Sequence, residues 1–169
     1  EVLPDTASDV FVLPLDGGTP RALIRTPASE RSPSVSPDGR WLSYSSNESG
    51  AEEVYVRPFA GAGAKLQVST DGGGESTWSR QGLRLIYRNK DQILAARIVT
   101  EPRLSAEPSV ELLRGRYAPT DTAGTPGYGI APDGGLLMVQ PLEPEQPATV
   151  INLVTNWFDE VRRHGAARP

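Results

Sequence analysis

Short apolar segments alternate with polar turns along most of the chain, and these segments have the length of β-strands. The apolar segments are rich in β-branched and aromatic residues, and they include VFVLPL from Val10, WLSYSS from Trp41, EVYVRPF from Glu53, LRLIYR from Leu83, QILAARI from Gln92 and LLMVQ from Leu136. The 17 glycines and 16 prolines among 169 residues oppose helices and favour turns. The pattern therefore predicts an all-β fold.

One segment near the end of the sequence, residues 156–163, predicts a short helix instead. Asn156 is a good N-cap, and Asp159 places a negative charge where the helix dipole favours it. Trp157 and Val161 are four residues apart, so they share one helix face. We expect this face to pack against the last strands as a structural latch.

A turn motif occurs three times, as SPDG ending at Gly39, SRQG ending at Gly82 and APDG ending at Gly134. The glycines are 43 and 52 residues apart, and each is followed by an apolar segment. Proline, aspartate and glycine in this order favour a tight turn. When the copies are aligned on their glycines, Leu42, Leu85 and Leu137 coincide, as do Tyr44, Tyr87 and Val139. The alignment predicts that these are equivalent core positions.

A second element repeats as DVFVLPLDGG from Asp9 and EVYVRPFAGA from Glu53, 44 residues apart. Together the two elements make a unit of four short strands, which is the size and strand count of a β-propeller blade. The repeats predict a single partial β-propeller of about three to four four-stranded blades. Its parts are a half blade at 9–26, blades at 31–75, 75–126 and 127–154, and the helix at 156–163.

The stretches SPDGRWLSYSSNESGAEEVYVRPF, VSTDGGGESTWSRQGLRLIYR, IAPDGGLLMVQP and NWFDEVRR resemble the TolB-like β-propeller repeats of bacterial proteins. Their resemblance is greatest to the C-terminal propeller of some bacterial serine/threonine protein kinases, which is related to WD40-like repeat architectures. The resemblance implies a non-catalytic module that binds or senses a ligand, and it favours an extracytoplasmic, periplasmic location. No kinase signature occurs in this chain.

Three and a half blades are too few to close a ring easily, since propellers usually have about four to eight. We expect that the natural polypeptide is longer at its N-terminus. The alternative is a homo-oligomer that forms through the open blade edges, because bare sheet edges favour pairing.

Composition and motifs argue against several classes of function. The 21 acidic and 17 basic residues give a net charge of −4, and the basic residues are not clustered, so no nucleic-acid partner is expected. There is no cysteine, which excludes disulfides and zinc–thiolate sites. The apolar runs are short, and no membrane contact by this segment is expected.

No catalytic residue, metal site or cofactor is predicted. The only histidine, His164, is five residues from the end of the sequence, and chain ends commonly fray, whereas a catalytic histidine needs a rigid site. GAGAK at 61–65 lacks phosphate-loop spacing, because Leu66 follows the lysine. No acidic run has calcium-loop spacing.

Binding groups are expected on one rim of the propeller, where loops between strands and between blades emerge together. The candidate residues for binding a protein or small ligand on this rim are Glu30, Arg31, Asn47, Glu48, Glu75, Lys90, Arg116 and Tyr117.

The interpretation that best fits the sequence is a non-catalytic binding or sensor module, the C-terminal part of a longer bacterial protein such as a receptor-type serine/threonine kinase. One alternative is the substrate-gating propeller of a serine peptidase resembling the prolyl oligopeptidase group. Another is a structural oligomerisation module. A kinase domain upstream would favour the first, and a hydrolase domain with Gly-x-Ser-x-Gly downstream would favour the second.

Overall fold

A computed structural model of the chain describes residues 8–61, 63–80, 82–118 and 126–140. Every regular element in these ranges is a β-strand, so the all-β prediction is confirmed there. The helix predicted at 156–163 lies outside the described residues, as does the second half of the last predicted blade, residues 141–154. None of the described residues belongs to a helix long and apolar enough to cross a membrane.

The strands form four antiparallel sheets in chain order. The first sheet contains β1 (Val10–Val12) and β2 (Arg21–Ile24). The second sheet contains β3 (Glu30–Val35), β4 (Trp41–Ser46), β5 (Glu53–Pro58) and β6 (Leu66–Gln67), in that spatial order. The predicted half blade at 9–26 thus contains the first sheet, and the predicted blade at 31–75 contains most of the second.

The third sheet contains β7 (Gly74–Trp78), β8 (Arg84–Asn89), β9 (Gln92–Val99), β10 (Ser105–Ala106) and β11 (Val110–Arg114). Both β10 and β11 pair with β9 at successive positions, so together they act as one interrupted outer strand. The fourth sheet contains β12 (Tyr128–Ile130) and β13 (Leu136–Met138). The second and third sheets thus each have four strand positions, which is the arrangement of a propeller blade.

Hydrophobic clusters lie between consecutive sheets, because alternate residues of a strand point to opposite faces. One face of the second sheet presents Leu42, Tyr44 and Tyr55 to the first sheet. The other face presents Val54 and Val56 to the third sheet.

The third sheet is also apolar on both faces. Trp78, Leu85 and Tyr87 meet the second sheet, whereas Ile86 and Ile93 pack with Tyr128 of the fourth. The sheets are therefore stacked face to face.

The first SPDG turn is a structural element. The Ser36 hydroxyl donates to Asp38 Oδ1 at 2.5 Å and accepts from the Trp41 amide at 2.9 Å. Gly39 has φ of 71°, which glycine adopts without strain. The hydrogen bonds from Ser36 and then Arg40 lower the pKa of Asp38 to about 2. These side chains hold the hairpin between β3 and β4 together.

The alignment of Leu137 and Val139 with the core positions is wrong by one residue. The Ser36 amide donates to the Trp41 carbonyl and the Ser79 amide to the Arg84 carbonyl, but the Ala131 amide donates to the carbonyl of Gly135, one residue earlier in the motif. The third hairpin loop is therefore one residue shorter.

A one-residue shift moves every side chain of a strand to the opposite face. Leu136 and Met138 consequently pack against the cluster between the third and fourth sheets. Leu137 is 65% exposed and Val139 63%. The core positions equivalent to Leu42 and Leu85 are thus shifted in the last copy.

Two matched substitutions test this register. Leu85→Ala should lower the free energy of unfolding by about 2–5 kcal/mol, because it leaves a cavity at a fully buried position. Leu137→Ala should change it by no more than about 0.5 kcal/mol, because that side chain is exposed. Urea denaturation of both variants measures the difference, and equal losses would contradict the shifted register.

Candidate functional site

A cleft of about 350 Å³, lined by charged and polar residues and glycines, lies between the second and third sheets. This volume is within the range of small-molecule sites, about 300–1,000 Å³. The second sheet and its loops contribute Arg31, Ser32 and Glu52, and the third sheet contributes residues 71–75 and 88–90. Loops between strands and between blades meet here, as the rim hypothesis requires.

The backbone around the cleft is unusual at three places. Ser32, Glu75 and Lys90 have φ of 50°, 53° and 55°, and all three line the cleft. They are the described residues other than glycine that have positive φ. Such conformations cost about 1–3 kcal/mol each and persist only where the surrounding structure imposes them.

Two of these residues mark a bulge that repeats from one blade to the next. Ser32 lies seven residues before Gly39, and Glu75 lies seven residues before Gly82. At both places the pairing register shifts between the first and second strands of the sheet. Because a bulge redirects side chains and ends regular pairing, the two bulges open the gap that becomes the cleft.

Glu75 connects the third sheet to the fourth. Its carboxylate lies 3.4 Å from Arg88 Nε, and both side chains are about one-tenth exposed. The same carboxylate accepts a hydrogen bond from the Gly127 amide at 2.8 Å. The Glu75 carbonyl accepts from the Tyr128 hydroxyl at 2.6 Å, and burial raises the pKa of this tyrosine above its usual value.

Arg88 extends this connection to the segment after β11. Its guanidinium donates to the carbonyl oxygens of Tyr117 at 3.4 Å and Ala118 at 3.1 Å. Arg88 therefore forms part of the cleft wall. It also connects that wall to residues 117–118, which precede the fourth sheet in the chain. A ligand that contacts Arg88 or Glu75 would act directly on these connections.

Four charged side chains of the cleft form no ion pair with any residue the structure describes. These residues are Arg31, Glu52, Asp71 and Lys90. Arg31 donates from Nε to the Ser29 hydroxyl at 3.2 Å, which leaves the rest of its guanidinium available. Two cations and two carboxylates suit a ligand that carries both signs of charge.

The structure brings three of the eight predicted rim residues, Arg31, Glu75 and Lys90, together in the cleft. Asn47 instead accepts a hydrogen bond from the Ser29 amide at 2.8 Å. Glu48 pairs with Lys65. Arg116 is exposed and Tyr117 is half-buried, and neither lines the cleft.

Glu30 was expected in an exposed loop between blades, but it is the first residue of β3 and only 3% exposed. Its Oε1 accepts hydrogen bonds from Thr26 Oγ1 at 2.5 Å and Ser46 Oγ at 3.4 Å. Glu53 is buried in a related way and accepts from Ser69 and from the Gly72 amide. These two carboxylates hold the inter-sheet loops in place.

Sequence reasoning did not single out Ser32, Glu52, Asp71 or Arg88 as site residues. The position of Ser32 could have been found, because it and Glu75 are equally far from the glycines of their turns. Arg88 gave no signal, because its partners are a distant carboxylate and two main-chain carbonyl groups. Within the described ranges, no group of three or more histidine and acidic side chains could hold a metal ion.

Face-to-face stacking of consecutive antiparallel sheets, two of them with four strand positions, defines the chain as part of a β-propeller. No protein-family model matches the chain, and no curated protein matches it. A solved structure assigned as TolB from Agrobacterium tumefaciens is similar to it, with a TM-score of 0.52 and 18% identity over 78% of this chain. The matched part covers 49% of that TolB chain. The fold is thus a TolB-like partial propeller.

Replacement of the buried Glu30 by glutamine tests its structural role. Burial is the main cause that raises the pKa of Glu30 above its usual 4.5, and the charge of Asp9 adds to it. The folded wild type therefore loses stability as the pH rises from 4.5 through this raised pKa. Glu30→Gln should lose less over the same range in urea denaturation.

Glu107→Gln, at an exposed position, controls for the removal of one negative charge. Parallel stability profiles for wild type and Glu30→Gln from pH 4.5 upwards would contradict the assignment.

Proposed function

We propose that this chain is a non-catalytic binding and sensor module whose ligand binds in the cleft between the second and third sheets. One observation carries the proposal: three strained, non-glycine residues converge on the same cleft as four charged side chains that form no ion pair within the described part of the chain. Strain of this kind is typical of functional sites. The TolB-like fold supports a binding role at the level of architecture.

The ligand is a polar molecule or protein segment that carries both a negative and a positive group. Arg31 and Lys90 are suited to bind a carboxylate, and Glu52 and Asp71 to bind an ammonium or amide group. These side chains are exposed, so their cost of desolvation on binding is modest. The mixture of charges also disfavours a polyanion as the ligand.

The module belongs to a longer bacterial protein, in which it detects the ligand on behalf of another domain such as a receptor-type serine/threonine kinase. Support for this context comes from the resemblance of the repeats to kinase-associated propellers. Arg88 and Glu75 provide a physical route, since they line the cleft and also connect to residues 117–118 and 127–128. A ligand that changes their geometry would alter how neighbouring sheets pack.

Dipeptides with one acidic and one basic residue are the probes for this site. Isothermal titration calorimetry should show binding to wild type and a loss of about tenfold or more with Arg31→Gln, because a charged hydrogen bond contributes about 1.5–3 kcal/mol. Arg21→Gln, at an exposed position in β2, is the matched control and should bind normally. Absence of binding to wild type, or equal affinity for Arg31→Gln, would overturn the proposal.

Two substitutions at Lys90 distinguish the energetic cost of its strained backbone from the contribution of its side chain to ligand binding. Lys90→Gly should stabilise the fold by about 1 kcal/mol, because glycine accepts the φ of 55° without strain. Lys90→Ala should not, because it keeps the strained backbone. Both variants should bind the dipeptides about tenfold more weakly or worse.

Thermal unfolding and calorimetry on the same samples provide the two measurements. A glycine variant that is stabilised and still binds like wild type would show that Lys90 has no part in the site.

A further inference from the structure

A second cavity of about 660 Å³ continues from the cleft towards the outside of the propeller, between the outer strands of the second and third sheets. Asp71, Gly72 and Asn89 line both cavities. The two are therefore one continuous surface that begins among the charges of the rim and extends along the flank between β6 and β10. We call the outer part the flank groove.

Apolar side chains contribute to both walls of the flank groove. Leu66 and Val68 contribute one wall, Leu94 the other, and all three are half-buried at the margin of the core between the sheets. Polar residues such as Gln67 and Ser105 lie beside them. The charged side chains are thus concentrated in the cleft, and the flank groove adds these apolar side chains farther along the same surface.

The edge of the second sheet adds main-chain groups to this surface. Strand β6 is two residues long and, in the part of the chain that the structure describes, pairs only with β5. Both residues of β6, Leu66 and Gln67, line the flank groove. Exposed strand edges bind extended peptides through main-chain hydrogen bonds, while alternate side chains enter pockets.

We infer that the ligand is an extended peptide segment, which lies with adjacent acidic and basic residues in the cleft and with alternate apolar residues in the flank groove. This inference rests on the proposed function and names the ligand of that same site. Charged groups, apolar side chains and an open strand edge follow one another along this surface. This order is complementary to an extended polypeptide. A free amino acid would use only the charged end.

A phage-displayed library of random linear octapeptides, selected on the whole chain, tests the inference. Enriched sequences should combine neighbouring opposite charges at one end with apolar residues at alternate positions of the other. Their affinities, measured with labelled synthetic peptides by fluorescence polarisation, should fall about tenfold or more in Ser105→Trp, because the new ring occupies the flank groove. Gln67→Trp, on the opposite wall, is the second blocking variant.

Ser49→Trp is the matched control. Like Ser105, Ser49 is exposed and its hydroxyl donates to a carbonyl two residues away, but it lines neither cavity. It should leave peptide affinity unchanged. Thermal unfolding of all three variants confirms that each is folded before its affinity is compared.

The outcomes distinguish the two proposals. Normal peptide affinity in both folded blocking variants, or a library that yields no enriched peptides, would overturn the peptide inference. Dipeptide binding that depends on Arg31 would still support the rim function in that case. Loss of octapeptide binding in the blocking variants, with dipeptide binding intact, is the result expected if both proposals hold.

Discussion

The structure depends on the burial of apolar side chains between the faces of consecutive sheets. Each sheet with neighbours on both sides presents two apolar faces, as the second does with Tyr44 on one side and Val56 on the other. Full burial of such a side chain contributes about 1.5–3 kcal/mol. Because both faces are closely packed, a shift of one strand would disturb the side-chain packing at two interfaces at once.

Polar contacts across the same interfaces complement this packing. The Ser76 hydroxyl donates to that of Ser43 at 3.0 Å, and the Trp78 indole donates to the Ser34 carbonyl at 3.1 Å. Groups buried with a partner oppose sliding, because any displacement would leave them unsatisfied. Near these contacts the bulges at Ser32 and Glu75 interrupt regular pairing, so the tightly stacked part of each blade holds the cleft in shape.

The repeat made the sheet architecture predictable, because equivalent turns and strands recur at blade spacing. The register of the last copy was not predictable from alignment on Gly134, since it depends on where the hairpin closes, at Gly135. The burial of Glu30 was missed because its hydroxyl partners come from two separate segments. The sequence predicted only part of the cleft, because residue type shows which side chains are charged but not which backbone positions have positive φ. Ser32 has positive φ at a bulge, and Lys90 has it in the two-residue turn between β8 and β9.

A designed disulfide between the second and third sheets tests the stacking most directly. The chain has no cysteine of its own, and Ser43 Oγ and Ser76 Oγ are 3.0 Å apart although 33 residues separate them. A disulfide requires sulfur atoms about 2.0 Å apart, which small rotations at these positions can reach. Ser43→Cys with Ser76→Cys should therefore form an intramolecular disulfide under mild oxidation of the folded protein, detected by mass spectrometry of peptides. Ser49→Cys with Ser76→Cys, which places one thiol on an exposed turn, should not. Two free thiols in the folded Ser43/Ser76 double variant would contradict face-to-face stacking and, with it, the cleft between the sheets.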